Sequence, residues 1–411
     1  MIPYRKQILG NGLTVVVNRD RQSKLAAVNM LYKVGARNEN PSRTGFAHLF
    51  EHLMFRGTKA VPDFDLPVQM ASGDNNAFTN NDYTDFYITL PTANIETALW
   101  LESDRIEGLD ITPEKLATEK KVVIEEYRQR YLNQPYGDQT LLLRALAYRV
   151  HPYRWAAIGL TPDHIAEATL ADVEAFYRAH YHPSNAILSI SADLEEERML
   201  ALAEKWFGDL PDRPSAPSPI PQEPPQTEAR RQEVERDVPA TTVTVAYPMG
   251  SRTSADFYTA DLVSDLLSGG DSSRLYTRLV KERKLLSSVN AYITGDLDPG
   301  LFVFTGQLLP GTTPEQAEAA FRTEIQTLCD TPASDYEMQK VKNKFEANTL
   351  FGELNVMNKA MNLGFYEMLG DLGLINRETE AYRAVTTDAV MDFCRRTLRP
   401  ERSSTLIYRA Q

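Results

Sequence analysis

Two of the chain's six histidines stand four residues apart, in the segment Gly45-Phe-Ala-His48-Leu-Phe-Glu51-His52-Leu-Met-Phe55. In a helix, His48 and His52 project from one face about one turn apart. That spacing lets both imidazoles bind one zinc ion at about 2.0–2.1 Å each. Glu51, three residues after His48, shares the face and can reach a water held by such a metal. The order H-x-x-E-H inverts the commoner H-E-x-x-H but delivers the same parts, two ligands and a base. The apolar flanks Phe46, Leu49, Phe50, Leu53 and Phe55 predict a helix that is largely buried, and buried histidines need partners.

A catalytic zinc takes a third protein ligand and keeps one position open. The best supplier is the helical stretch 118–127, Thr-Glu119-Lys-Lys-Val-Val-Ile-Glu125-Glu126-Tyr. Glu119 and Glu126 are seven apart, two turns along one stripe, whereas Glu125 points about 100° away. One of the pair could coordinate the metal while the other orients a histidine. Taken alone this stretch reads as a solvated charged face; Val122 and Val123 argue that the stripe faces the interior.

H-x-x-E-H followed about 75 residues later by E-x-x-V-V-x-E-E resembles the pitrilysin-type inverzincin metallopeptidases, which include insulin-degrading enzyme and mitochondrial processing peptidase. Gly57-Thr58, Asn76-Ala77-Phe78-Thr79, Asp82-Tyr83-Thr84 and Tyr181-His-Pro183-Ser-Asn185 are similar too, so the likeness spans most of the chain. The resemblance implies one zinc ion per chain, held by His48, His52 and Glu126, with Glu51 as general base and Glu119 holding a ligand in place. It also implies that a peptide substrate adds as a strand beside Asn76, Ala77, Phe78 and Thr79. The activity implied is a zinc-dependent endopeptidase acting on extended peptides or unfolded segments in an enclosed chamber. The alternative is a scaffold subunit of the same fold without catalysis.

The second half lacks these parts. Val28, Tyr32, Gly35 and Arg37 recur as Val243, Tyr247, Gly250 and Arg252 at a constant offset of 215 residues, which suggests duplication of a whole domain rather than a short repeat. The same offset carries His48, Glu51 and His52 onto Val263, Leu266 and Leu267, which bind no metal. Active relatives also place an Arg and a Tyr in a segment like R-E-K-R-G-L-A-Y; Lys281-Glu-Arg-Lys-Leu-Leu-Ser-Ser288 has neither, although Gly269-Gly270-Asp-Ser-Ser-Arg274-Leu fits. The resemblance therefore implies half of a clamshell, completed in a heterodimer by a homologous metal-free chain that supplies the Arg and Tyr. A homodimer is the alternative.

The elements that must position these residues are mixed. Stretches 13–18, 26–34, 186–190, 242–246, 301–305 and 404–408 read as strands, and 44–55, 94–106, 113–131, 170–178, 195–207, 314–329 and 337–350 as helices. Thr112-Pro113 and Thr313-Pro314 put a capping residue before a proline at the first helical position. The pattern predicts an α+β protein of two homologous α/β sandwiches, each a mostly antiparallel sheet with helices packed on one face. Seven prolines between 210 and 226 exclude helix or central strand there and predict a stiff spacer. The expected domains are thus 1–209, metal-binding, and 229–411, metal-free, joined by the proline-rich linker 210–228.

Composition narrows the partners. With 411 residues and 42% hydrophobic residues, the chain can bury a sizeable core. The formal net charge of −12, with no long basic run, excludes nucleic acid as an expected partner. No stretch is apolar for long enough to span a membrane. Cys329 and Cys394 stand in unrelated contexts, which excludes a disulfide framework and a thiolate metal cluster. The N-terminus lacks the layout of a secretory signal, so the cytoplasm is expected, or the periplasm if a signal peptide has been removed.

Overall fold

Of the residues that repeat at an offset of 215, Val28 and Tyr32 and their counterparts Val243 and Tyr247 lie on equivalent strands at the centres of two sheets, and Gly35, Arg37, Gly250 and Arg252 follow just after those strands. The computed structural model describes residues 1–214 and 219–411; positions 215–218 of the expected linker lie outside the described residues. The first sheet contains β1 (Arg5–Ile8), β2 (Thr14–Arg19), β3 (Leu25–Tyr32), β4 (Asp74–Thr79), β5 (Thr84–Pro91) and β6 (Ala186–Ala192), in the order β1-β2-β6-β3-β5-β4. The second contains β7 (Arg230–Arg236), β8 (Thr242–Pro248), β9 (Leu286–Ile293), β10 (Leu301–Leu308) and β11 (Ser404–Ala410), in the order β7-β11-β8-β10-β9. All pairings are antiparallel except β2 with β6 and β7 with β11. Matching order and matching direction make the second sheet a copy of the first without β1.

The α+β class and the two-sheet architecture are as expected, with one addition. β3 is buried at every residue from Ala26 to Tyr32, which requires cover on both faces. Successive residues alternate between those faces. Tyr32 meets the rings of Phe86 and Tyr181 on one side. Ala27 and Leu31 pack on the other against the helix Val356–Met368, through Val356, Ala360 and Leu363. Gly364 lets that helix approach closely: a Cβ there would stand 3.0 Å from Ser189 Oγ and 3.2 Å from Asn29 Nδ2.

The second sheet is sandwiched in the same way. Val243, Val245, Tyr247, Phe302 and Phe304 face a core built with the helices Phe257–Ser268, Pro314–Asp330 and Thr387–Thr397. Ala246, Leu301, Val303 and Leu406 point the other way, onto Leu143 and Ala147 of the helix Gln139–Ala147. By contacts, one compact unit comprises Met1–Tyr127, Trp155–Ile220 and Thr349–Asn376; the other comprises Arg128–Arg154, Pro221–Asn348 and Arg377–Gln411. Each unit therefore takes one helix from the far side of the proline-rich stretch, because the second face of its sheet would otherwise be bare. The two cysteines, far apart in sequence, are buried neighbours in the second unit, thiol hydrogen-bonded to thiol. Among the described residues no helix is long and apolar enough to cross a membrane.

Candidate metal centre

The histidine helix runs from Phe46 to Leu53 and buries Phe46, Ala47, Leu49, Phe50 and Leu53. Phe50 stacks on Tyr177 and Tyr181, with ring centroids 5.6 and 4.7 Å apart, so the apolar face is locked and the opposite face carries His48, Glu51 and His52. The helix starts abruptly. Gly45, with φ of 88°, offers no side chain to cap it. The cap comes instead from Glu39, whose Oε2 accepts from the Gly45 N–H at 2.9 Å and Oε1 from the Ala47 N–H at 2.8 Å. Burial pushes the Glu39 carboxyl up to about 8, against the pull of those backbone donors.

The glutamate helix, Pro113–Tyr127, begins where Thr112 Oγ1 accepts from the Lys115 N–H at 3.2 Å. Its inner stripe is Leu116, Glu119, Val123 and Tyr127. Val123 is 1% exposed but Val122 is 40% exposed, so only one of the two valines expected to mark the interior does so. At 100° per residue they cannot both face inward with Glu119 and Glu126. Glu125 is exposed, on the side away from the histidines.

Packed together, the two helices bring His48 Nε2 within 3.6 Å and His52 Nε2 within 3.3 Å of Glu126 Oε2. The two imidazole centroids are 4.8 Å apart, with the rings near perpendicular. His52 Nδ1 lies 3.3 Å from Glu119 Oε2, and the other Glu119 oxygen meets the Arg56 guanidinium. The ligand atoms of His48, His52 and Glu126 all lie within 4.8 Å of one another. Two imidazole nitrogens and one carboxylate oxygen are the donor set of a hydrolytic zinc, so these residues fit the metal. Burial works to lower the His52 pKa, but hydrogen bonds to Glu119 and Glu126, with the charges of Glu126 and Glu51, outweigh it and push it up to about 9.

The strand expected to receive substrate is β4, which carries Asn76, Ala77, Phe78 and Thr79 at the end of the first sheet and pairs only with β5. Among the described residues no other strand covers its outer edge. The Ala77 N–H donates to the side-chain oxygen of Asn76 at 2.8 Å. A cleft of about 410 Å³ lies alongside, lined by Phe55, Asp65, Gly73 and Asn76 among others. Of the aromatic residues nearby, Phe86 is core and Tyr87 is half-buried.

The remaining histidines stay apart from this cluster. His182 Nδ1 pairs with Asp212 Oδ1 at 2.9 Å, and His180 packs on Phe176. Among the described residues His48, His52 and Glu126 are the one group of three able to hold a metal. In the second unit, Val263, Leu266 and Leu267 are buried core. Lys281 bonds to the Asp271 carbonyl at 3.1 Å, and Ser288 sits exposed on β9. Arg56 and Glu39 were not singled out by the sequence: nothing in the local pattern links either to a partner brought close only by folding.

Residues 14–155 match the family model described as insulinase (peptidase family M16), and residues 167–345 match the model described as the peptidase M16 inactive domain. A zinc protease of Helicobacter pylori, PqqE, is 33% identical over 328 residues, covering 78% of this chain and 73% of that protein. A probable mitochondrial-processing peptidase subunit beta of Schizosaccharomyces pombe is 26% identical, covering 72% of this chain and 67% of that one. The crystal structure of a protease from Helicobacter pylori superposes with a TM-score of 0.93 at 27% identity, covering 100% of both chains.

Proposed function

This chain belongs to the insulinase family of metallopeptidases, and from that premise we propose that it is the catalytic subunit of a zinc-dependent endopeptidase that cuts extended peptides or unfolded segments in an enclosed chamber. The observation that carries the reading is the convergence of His48, His52 and Glu126, with Glu51 presented by the same short helix. His48, His52 and Glu126 hold one zinc ion, which when bound supplies a Lewis acid for the scissile carbonyl and makes water easier to deprotonate. Glu51 takes the proton of the attacking water and returns it to the leaving amine. Glu119 holds His52 Nδ1, so that Nε2 faces Glu126 and the metal. Substrate backbone pairs with the outer edge of β4, which gives affinity with little demand on side chains.

The subunit is completed by a second chain. Lys281 and Ser288 stand where the resemblance leads one to look for an Arg and a Tyr, which supports a homologous metal-free partner supplying both; a homodimer is the alternative. A purely scaffolding role is the less favoured reading, because the donor set is complete and the inactive-domain match lies mostly beyond it.

The test is hydrolysis of a fluorogenic peptide by the purified chain, alone and with a homologous chain lacking H-x-x-E-H. Activity is expected only with the partner and is expected to vanish with chelator. Full activity of the isolated chain would remove the partner from the proposal; a chelator-resistant activity would remove the metal.

A further inference from the structure

We propose that Glu39 is a positioning residue for the metal centre, acting through the backbone of the first turn of the histidine helix and thereby on His48. The inference rests on the reading of His48 as a ligand. The first four N–H groups of any helix lack partners within it, and the usual remedy is a Ser, Thr, Asp or Asn at the capping position. That position is Gly45, which has no side chain to offer. A larger residue there would be strained by the positive φ and would put a Cβ 2.8 Å from the Ile158 carbonyl. The helix therefore takes its cap from Glu39, six residues before the capping position.

Glu39 spans the turn with both oxygens, one on the Gly45 N–H and one on the Ala47 N–H. His48 is the next residue. Glu39 is itself anchored: it follows the turn Ala36–Asn38, whose Ala36 carbonyl accepts from the buried Trp155 indole at 3.0 Å. The residue is only 7% exposed, so no water replaces the bonds if they are lost. The helix has only 8 residues, so one frayed turn moves His48 while leaving His52, at its far end, in place. Glu39 thus sets the distance between the first imidazole and the other two donors.

The test compares wild type with E39Q and E39D in the full chain. Glutamine keeps the reach but loses one acceptor; aspartate keeps the carboxyl but loses the reach. Zinc affinity is measured by competition with a chromophoric chelator, and geometry by the visible spectrum of the cobalt-substituted protein. Both variants are expected to bind zinc about 10-fold or more weakly, with an altered cobalt spectrum. A role in stability alone would lower the unfolding temperature of the metal-free protein and leave both metal readouts unchanged, which would overturn the proposal. Amide exchange on the wild type needs no variant. The Gly45 and Ala47 amides are expected to exchange as slowly as those of β3, and exchange at the rate of exposed loops would also overturn it. If the wild type bound no zinc, the ligand assignment would fall, and the exchange result would still judge the cap.

Discussion

The helices Phe46–Leu53 and Phe257–Ser268 occupy equivalent places in the two units, after the central strands β3 and β8 and beside the edge strands β4 and β9. At the three positions that matter, one carries His48, Glu51 and His52 and the other Val263, Leu266 and Leu267. In the second unit those side chains join a continuous apolar core. In the first, the same face meets Glu119 and Glu126 on the glutamate helix. One fold therefore tolerates either a dry core or a polar metal cluster at this place, and the choice depends on the helix packed opposite. Function is carried by the site and not by the fold that bears it.

The largest expected effect breaks the site and spares its ligands. Glu51→Gln should lower kcat on a fluorogenic peptide by about 10²–10⁴-fold while metal analysis finds zinc still bound. Equal loss of zinc and activity would make Glu51 a ligand instead. Moving the H-x-x-E-H residues into the second unit, as Val263→His with Leu266→Glu and Leu267→His, should destabilise that unit by about 3–5 kcal/mol, since buried charge there has no partner. Denaturant unfolding measures the loss, and a second equivalent of bound zinc would show that the opposite helix matters less than argued above.

A smaller effect concerns protons. His52 binds its proton with a folded pKa of about 9, above its ordinary 6.5, and zinc requires the neutral ring. Apparent zinc affinity should rise with pH, by up to about tenfold per unit, and level off near pH 9. The sign for stability is opposite. The contribution of the protonated ring to the metal-free protein is complete below pH 6.5 and fades as pH climbs through 9. Glu119→Gln should move the plateau to lower pH. The smallest effect separates the two edges: Ala77→Pro removes one backbone donor from β4 and should raise KM by up to about tenfold, whereas Val289→Pro on β9, two residues from the outward-facing Ala291 N–H, should leave KM unchanged.

The histidine helix was legible because its chemistry is local: two rings and a carboxylate on one face follow from a period of 3.6 residues. So was the capping of Thr112-Pro113 and Thr313-Pro314, where the threonines accept from Lys115 and Gln316 as placed. The central strands β3, β8 and β10 were legible as well, being rich in β-branched, aromatic and other apolar residues. The edge strand β4 was not. Asn75-Asn76 by itself reads as a turn, and the segment is extended because β5 lies beside it. The helices Gln139–Ala147 and Val356–Met368 were not read from the sequence at all, and amphipathic spacing would in any case say that a face is buried and not what buries it.

From residue order alone came the duplication, the α+β class and the clustering of His48, Glu51 and His52, each set by spacing along a few turns or by a constant offset. Folding alone decided that Glu126 Oε2 comes within 3.6 Å of both Nε2 atoms, that Glu39 caps a helix lacking its own cap, and that each sheet borrows a helix from across the prolines. Those distances depend on how apolar faces of separate segments pack, and packing minimises exposed surface over the whole chain at once, which no local pattern encodes.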